Sequence, residues 1–175
     1  PTDQKDFLFA QMARNLENAC TKARRYELVA RRLFLYMRRQ DFNDFGVEIR
    51  LTRPTAYPME LLEALREGFQ QIYRPGTLYR ATGVVLSGLI PVSSLQFGLF
   101  DDRVQIERIV QVYRVIDGLA EKFGKHTVHH GASHSVELHA QHEGERGDIP
   151  TRKRELFKGE NKRQRLGLPV LSVPV

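Results

Sequence analysis

The 175 residues of this chain include one cysteine, no tryptophan and three methionines. The lone Cys20 excludes an intramolecular disulfide and a cysteine-built zinc site, and it fits a reducing cytosol. No apolar run approaches the roughly 20 residues of a membrane span, and no signal peptide opens the chain, so no membrane contact is expected and the expected location is cytoplasmic. There is no internal repeat. The chain opens on Pro1-Thr2-Asp3 without an initiator methionine, and the expectation is a fragment.

What the sequence does hold is basic charge, unevenly placed. The formal charge is +6. Residues 1–55 carry 11 basic and 7 acidic side chains and residues 148–175 carry 7 and 3, so each end is +4. Residues 56–100 balance at zero and residues 101–147 come to −2. Two basic ends around a neutral-to-acidic middle suggest a polyanion partner met in two places, the alternative being a merely soluble surface.

Periodicity supplies the elements. Leu8, Met12, Leu16, Ala19, Cys20 and Ala23 recur at helical spacing and predict a helix over 3–23, with Thr2 or Asp3 as its cap. Residues 31–39 alternate with period two: Leu33, Leu35 and Met37 share one face, and Arg32, Phe34, Tyr36 and Arg38 the other. After a turn at Asp41–Asp44, Gly46–Arg53 returns as a second strand with Val47, Ile49 and Leu51 inward and Glu48, Arg50 and Thr52 outward. Pro58 suits the first turn of a second helix, along which Leu61, Leu62, Leu65, Phe69 and Ile72 form a stripe that stops at Pro75-Gly76. Residues 78–87 read as a third strand. Arg80 shares its alternation with Thr82, Val84 and Leu86, which leaves the core face of that strand unassigned. Residues 103–123 form another helix with Ile106, Ile109, Val110, Tyr113, Ile116, Ala120 and Phe123 along one side, ended by Gly124. What that side packs on, whether tail, sheet or a twin chain, is open. Two strand-like pieces follow, Thr127–His130 and Ser135–Ala140, and the chain then turns polar and basic.

Three constellations carry chemistry. The outward sheet face offers Arg32, Phe34, Tyr36, Arg38, Arg50 and Arg80, with Arg53 and Thr55 at the loop edge. Cations and hydroxyls on a rigid surface suit phosphate contact, although an arginine-rich solvated face has the same composition. Gln96-Phe97-Gly98-Leu99-Phe100, closed by Asp101-Asp102, is an apolar peptide poorly placed for a core, and such a pair serves a partner more often than packing. The histidines at 126, 129, 130, 134, 139 and 142 supply enough nitrogens for zinc, but no helical i, i+4 pair stands beside a suitable acid. A polar loop without metal is expected.

The order helix–strand–strand–helix–strand, followed at once by Gln-x-x-Leu-Phe, resembles the C-terminal part of the Y-family (DinB/UmuC-like, DNA polymerase IV-type) translesion DNA polymerases: their little-finger domain and the tail beyond it. Leu16-Glu17-Asn18-Ala19, Leu78–Val84 and Gln96–Asp101 carry the resemblance, which runs from about residue 3 to 125. It implies an α+β fold, a βαββαβ sheet with two helices on one face, whose first strand would precede Pro1. An extra helix and a basic tail follow. The expected divisions are a DNA-binding domain over 1–91, a loop with the clamp peptide over 92–102, a helix over 103–125 and a His-rich, basic tail over 126–175. An unpaired sheet edge would need cover, expected from a tail strand such as Ser135–Ala140 or from a second copy in a homodimer.

The resemblance also implies function. The sheet would grip duplex template–primer DNA, and Gln96, Phe97, Leu99 and Phe100 would anchor in the bacterial sliding clamp, tethering an enzyme of DNA-damage bypass and the SOS response. No catalytic residue is expected in this chain and no cofactor, because the carboxylates that hold Mg2+ belong to the family's palm domain. The alternative is a protein-interaction adaptor that uses helix 103–123 and the Leu-Phe peptide. The basic stretch 152–165 reads equally as a second phosphate contact and as a solvated extension.

Overall fold

A twelve-residue strand, β1 (Leu28–Arg39), runs through the middle of the computed structural model, which describes residues 1–96, 98 and 102–138. Its alternation is strict where it matters: Leu33, Leu35 and Met37 have no exposed surface, while Arg32, Phe34, Tyr36 and Arg38 point the other way. β2 (Asp44–Thr55) and β3 (Tyr79–Ser87) pair antiparallel with β1 on either side, giving the order β2-β1-β3. A two-residue strand, β4 (Ile90–Pro91), pairs with Leu28 and Val29 at the start of β1.

Two helices cover one face. α1 (Lys5–Arg25) packs against β3, and α2 (Pro58–Ile72), with its proline in the first turn, against β2. Leu8, Met12, Leu16 and Cys20 from α1 meet Leu61, Leu65, Phe69 and Ile72 from α2 over the buried side of β1. Burial pushes the Cys20 thiol up to about 12, so it behaves as a small apolar core residue. Gly68 lets α2 approach the sheet closely; a Cβ there would lie 2.4 Å from Leu35 Cδ1.

α3 (Arg103–Phe123) has the expected bounds. Its packing partner, left open by the sequence, is the helical side of the sheet module. Asp117 takes a bidentate contact from Arg24 at the end of α1, at 2.7 and 2.6 Å, and the Arg24 guanidinium lies 4.7 Å over the Tyr113 ring. The Tyr113 hydroxyl accepts from the Met59 N–H at 3.1 Å, at the start of α2. Burial pushes that hydroxyl up to about 12. Arg24 also donates to the Ala56 carbonyl at 2.8 Å, so one guanidinium joins α1, the β2–α2 corner and α3.

The segment after α3 corrects the expectation. Thr127–His130 is a bend followed by irregular chain, which goes on through a 3-10 turn at Gly131–Ser133 into α4 (His134–Leu138). Ser135–Leu138 is therefore helical, and Ala140 lies outside the described residues. Four residues cannot separate period 2 from period 3.6, and here Glu17 decides. This carboxylate, 8% exposed on the core side of α1, accepts from the His130 N–H at 2.8 Å and the Ser133 hydroxyl at 2.9 Å. His126 Nδ1 stands 3.4 Å from its other oxygen. Burial alone would raise Glu17, but these hydrogen bonds outweigh it and hold the carboxyl below its ordinary value.

The expected tail strand thus does not cover the sheet edge. Among the described residues, the outer edge of β3 is met by Thr2, which exchanges two backbone hydrogen bonds of 2.9 Å with Tyr79. The chain before α1 lies where an additional strand would run. No helix among the described residues is long and apolar enough to cross a membrane.

Candidate nucleic-acid interface

The face of β1 turned away from the helices is the candidate site. Register sets its composition. Arg32 lies opposite Arg50 and Ser87, Phe34 opposite Glu48 and Val85, Tyr36 opposite Gly46 and Gly83, and Arg38 opposite Asp44 and Ala81. From Arg32 to Arg38 the strand extends about 20 Å, a length matching roughly six phosphate steps of one DNA strand.

Its electrostatics are mixed rather than purely cationic. Arg38 is held by Asp44 in a bidentate contact at 2.7 and 2.9 Å, and that hydrogen bonding keeps the Asp44 carboxyl below its ordinary value. Arg32 Nη1 is 3.5 Å from Glu48 Oε2 with both side chains about half exposed, a pair worth little in water. Arg50 has no carboxylate partner among the described residues, and it faces Arg32 directly. Like charges opposite each other cost a sheet several tenths of a kcal/mol. An anion between the two guanidinium groups would remove that cost.

Phe34 and Tyr36 lie side by side, with ring centroids 6.1 Å apart and planes within 26°. Glycine makes room for both. A Cβ at Gly46 would fall 2.6 Å from Phe34 Cζ, and one at Gly83 would fall 2.2 Å from Tyr36 Cε1 and Cζ. The rings therefore lean outward from β1, Phe34 across β2 and Tyr36 across β3.

Arg80 escapes the alternation that left it ambiguous. Arg38 pairs with Ala81 but Arg39 pairs with Tyr79, so Arg80 is the extra residue of a β-bulge. Tyr79 is buried, Arg80 is exposed, and its guanidinium lies 4.3 Å over the ring of Phe42 at the β1–β2 turn. Arg80 thus joins Arg38 at the hairpin end of the sheet.

Arg53 and Thr55 do not join this group. Both bond to Glu60 in the first turn of α2, and Thr55 is 4% exposed. These contacts fix the β2–α2 corner, away from the row of Arg32, Phe34, Tyr36 and Arg38. Parity could have shown it for Arg53, which alternates in step with Val47, Ile49 and Leu51. Other residues of the site were underweighted from sequence: Asp44, Gly46, Gly83 and Phe42 gain their roles only once the register is known.

Of the clamp peptide, Gln96 and Gly98 are described and exposed; Phe97, Leu99 and Phe100 lie outside the described residues. Asp102, which closes the peptide, caps α3 by accepting from the Gln105 N–H at 3.1 Å. His139, His142 and the basic stretch 152–165 also lie outside the described residues. His129 Nε2 meets His134 Nδ1 at 3.1 Å, yet no group of three or more His, Cys, Asp or Glu among the described residues is placed to hold a metal ion.

Helices on one side of an antiparallel sheet and an open arginine–aromatic face on the other define a two-layer α+β module. The chain belongs to the impB/mucB/samB family by its C-terminal domain, whose model matches residues 1–99. A DNA polymerase IV from Desulfatibacillum aliphaticivorans is 29% identical over 113 residues, which is 64% of this chain and 28% of that protein. The chain thus spans little more than a quarter of the length of this curated relative. No solved structure matches it. The resemblance to the C-terminal part of Y-family polymerases is borne out.

Proposed function

We propose that this chain is the non-catalytic DNA-holding and clamp-tethering part of a translesion polymerase. Duplex template–primer DNA lies along the open sheet face, where Arg32, Arg38, Arg50 and Arg80 meet phosphates. The observation that carries this reading is the directly opposed Arg32–Arg50 pair on an open, rigid surface, in which Arg50 has no carboxylate among the described residues and a bound anion would offset its repulsion from Arg32. A grip made through phosphates reads no base, which suits an enzyme that must tolerate damaged templates. Gln96, Phe97, Leu99 and Phe100 form the tether to the sliding clamp, by a short apolar anchor with Gln fixing orientation. Nucleotidyl transfer with Mg2+ belongs to a palm domain elsewhere in such a polymerase, acting in damage bypass, and this chain does not polymerise alone.

Titrating the chain with labelled duplex across a salt series tests the grip. Affinity should fall steeply with salt and be independent of sequence. Capture by the processivity ring tests the tether: replacing Leu99 and Phe100 with alanine should abolish capture and leave DNA affinity unchanged. Loss of both together would refute the separation of the two roles.

One observation favours the adaptor reading. The outer side of α3 exposes Val104, Val112, Val115 and Phe123, with Val115 64% and Phe123 62% exposed. A helix apolar on both sides is a docking element in search of a second neighbour. Absence of salt-dependent DNA binding would leave this as the function.

A further inference from the structure

We propose that the Phe34–Tyr36 pair is a stacking platform for unpaired nucleobases, so that the open face holds single-stranded as well as duplex DNA. The inference rests on reading that face as a DNA surface and adds a ligand that phosphate contact alone does not select.

The geometry is specific to the two rings. An aromatic side chain standing upright on β1 would leave the positions over its cross-strand neighbours empty. Here Tyr36 ring atoms occupy the place over its direct partner, 2.2 Å from a Cβ at Gly83, and Phe34 ring atoms the place over the diagonal residue, 2.6 Å from a Cβ at Gly46. Glycine inside a strand weakens the strand and often marks a place where something approaches closely. Tyr36 has one on each side. The rings thus lean across the sheet, both partly exposed, adjacent and with planes within 26° of each other.

Covering glycine accounts for the inner face of each ring but not for the outer one. Phosphate contact does not use it either: Phe34 has no polar atom, and a base within a duplex is already stacked above and below. An unpaired base has a free π-face. Successive aromatic side chains flanked by cations are how sheet surfaces hold single strands without reading their sequence. The cations are in place, with Arg32 and Arg50 at one end of the pair and Arg38 at the other.

The test compares a labelled oligo-dT with a duplex of equal length by fluorescence anisotropy, using the full chain. Phe34→Ala/Tyr36→Ala should weaken oligo-dT binding by about tenfold or more, a clearly larger loss than the same variant shows for duplex. The deficit should persist at high salt, because stacking releases few counterions. Gly83→Ala, which forces the Tyr36 ring off the sheet, should lower oligo-dT affinity in the same direction. Phe34→Leu/Tyr36→Leu keeps the glycines covered without a π-system and must reproduce the loss, which guards against a folding defect. Equal losses for the two ligands, or no loss for oligo-dT, overturn the platform. A wild-type chain that binds duplex but not oligo-dT overturns the platform alone. One that binds neither overturns the DNA reading as well.

Discussion

Replacing Arg50 with alanine separates the cost of the open face from its use. Arg50 stands opposite Arg32 without a carboxylate of its own among the described residues, so its removal takes away repulsion and leaves no partner stranded. The variant should be as stable as the parent, or more stable by up to about 0.5 kcal/mol. Binding should move the other way. If Arg32, Arg38, Arg50 and Arg80 each neutralise one phosphate, log affinity falls against log salt with a slope of about −3.6, and the variant with three contacts gives about −2.7. A fourfold rise in salt would then weaken the parent by about 150-fold and the variant by about 40-fold. Fluorescence anisotropy with a labelled duplex reads both slopes, and urea denaturation reads stability. An unchanged slope, or destabilisation above about 1 kcal/mol, would refute the assignment of Arg50 as an unrelieved cation held for an anion.

Arg24→Ala should cost about 2 kcal/mol in urea denaturation, discounted because Asp117 is partly exposed, and should raise amide exchange in α3; a smaller effect than about 0.5 kcal/mol would mean that α3 docks without its ion pair. Gly68→Ala should destabilise by about 1 kcal/mol despite gaining helix propensity, because the added methyl meets Leu35 and Ile49, and a stabilised variant would show that the core yields there. Glu17 has a depressed folded pKa, so its stabilisation is complete above the ordinary carboxylate value and is lost as pH falls through the lower folded value. Protection of the His130 amide, relative to its intrinsic exchange rate, should therefore fall on acidification below about pH 4.5, and Glu17→Gln should abolish that pH dependence; a fall unchanged in the variant would assign it elsewhere.

Much of this architecture was legible because β1 and β2 alternate cleanly and because α3 carries a clear apolar stripe ended by Gly124. Pro58 and Pro75-Gly76 likewise framed α2. The rest depended on partners distant in sequence. Arg24 and Asp117 are 93 positions apart, and nothing local says that they meet. Glu17 sits at helical spacing from Ala13 and Cys20, so its burial could be anticipated but not the segment it holds. Arg80 was ambiguous because a bulge changes parity partway along a strand, and a bulge leaves no mark in a period-two pattern. The strand expected at Ser135–Ala140 failed for the complementary reason, since a short alternation becomes a helix when a buried carboxylate takes up the backbone N–H and hydroxyl just before it.

The place of β1 between two partners has a mechanical consequence. DNA drawn across the open face would pull on Arg32 and Arg38 along the strand axis, so the ladders to β2 and β3 would be loaded in shear. In shear the hydrogen bonds of both ladders share the force together, whereas peeling an edge strand breaks them one at a time. The strand that carries Arg32 and Arg38 is thus the one best braced against traction, and the edge strands β2 and β3, of which β3 is bridged on its outer side by Thr2, are where the sheet would yield first.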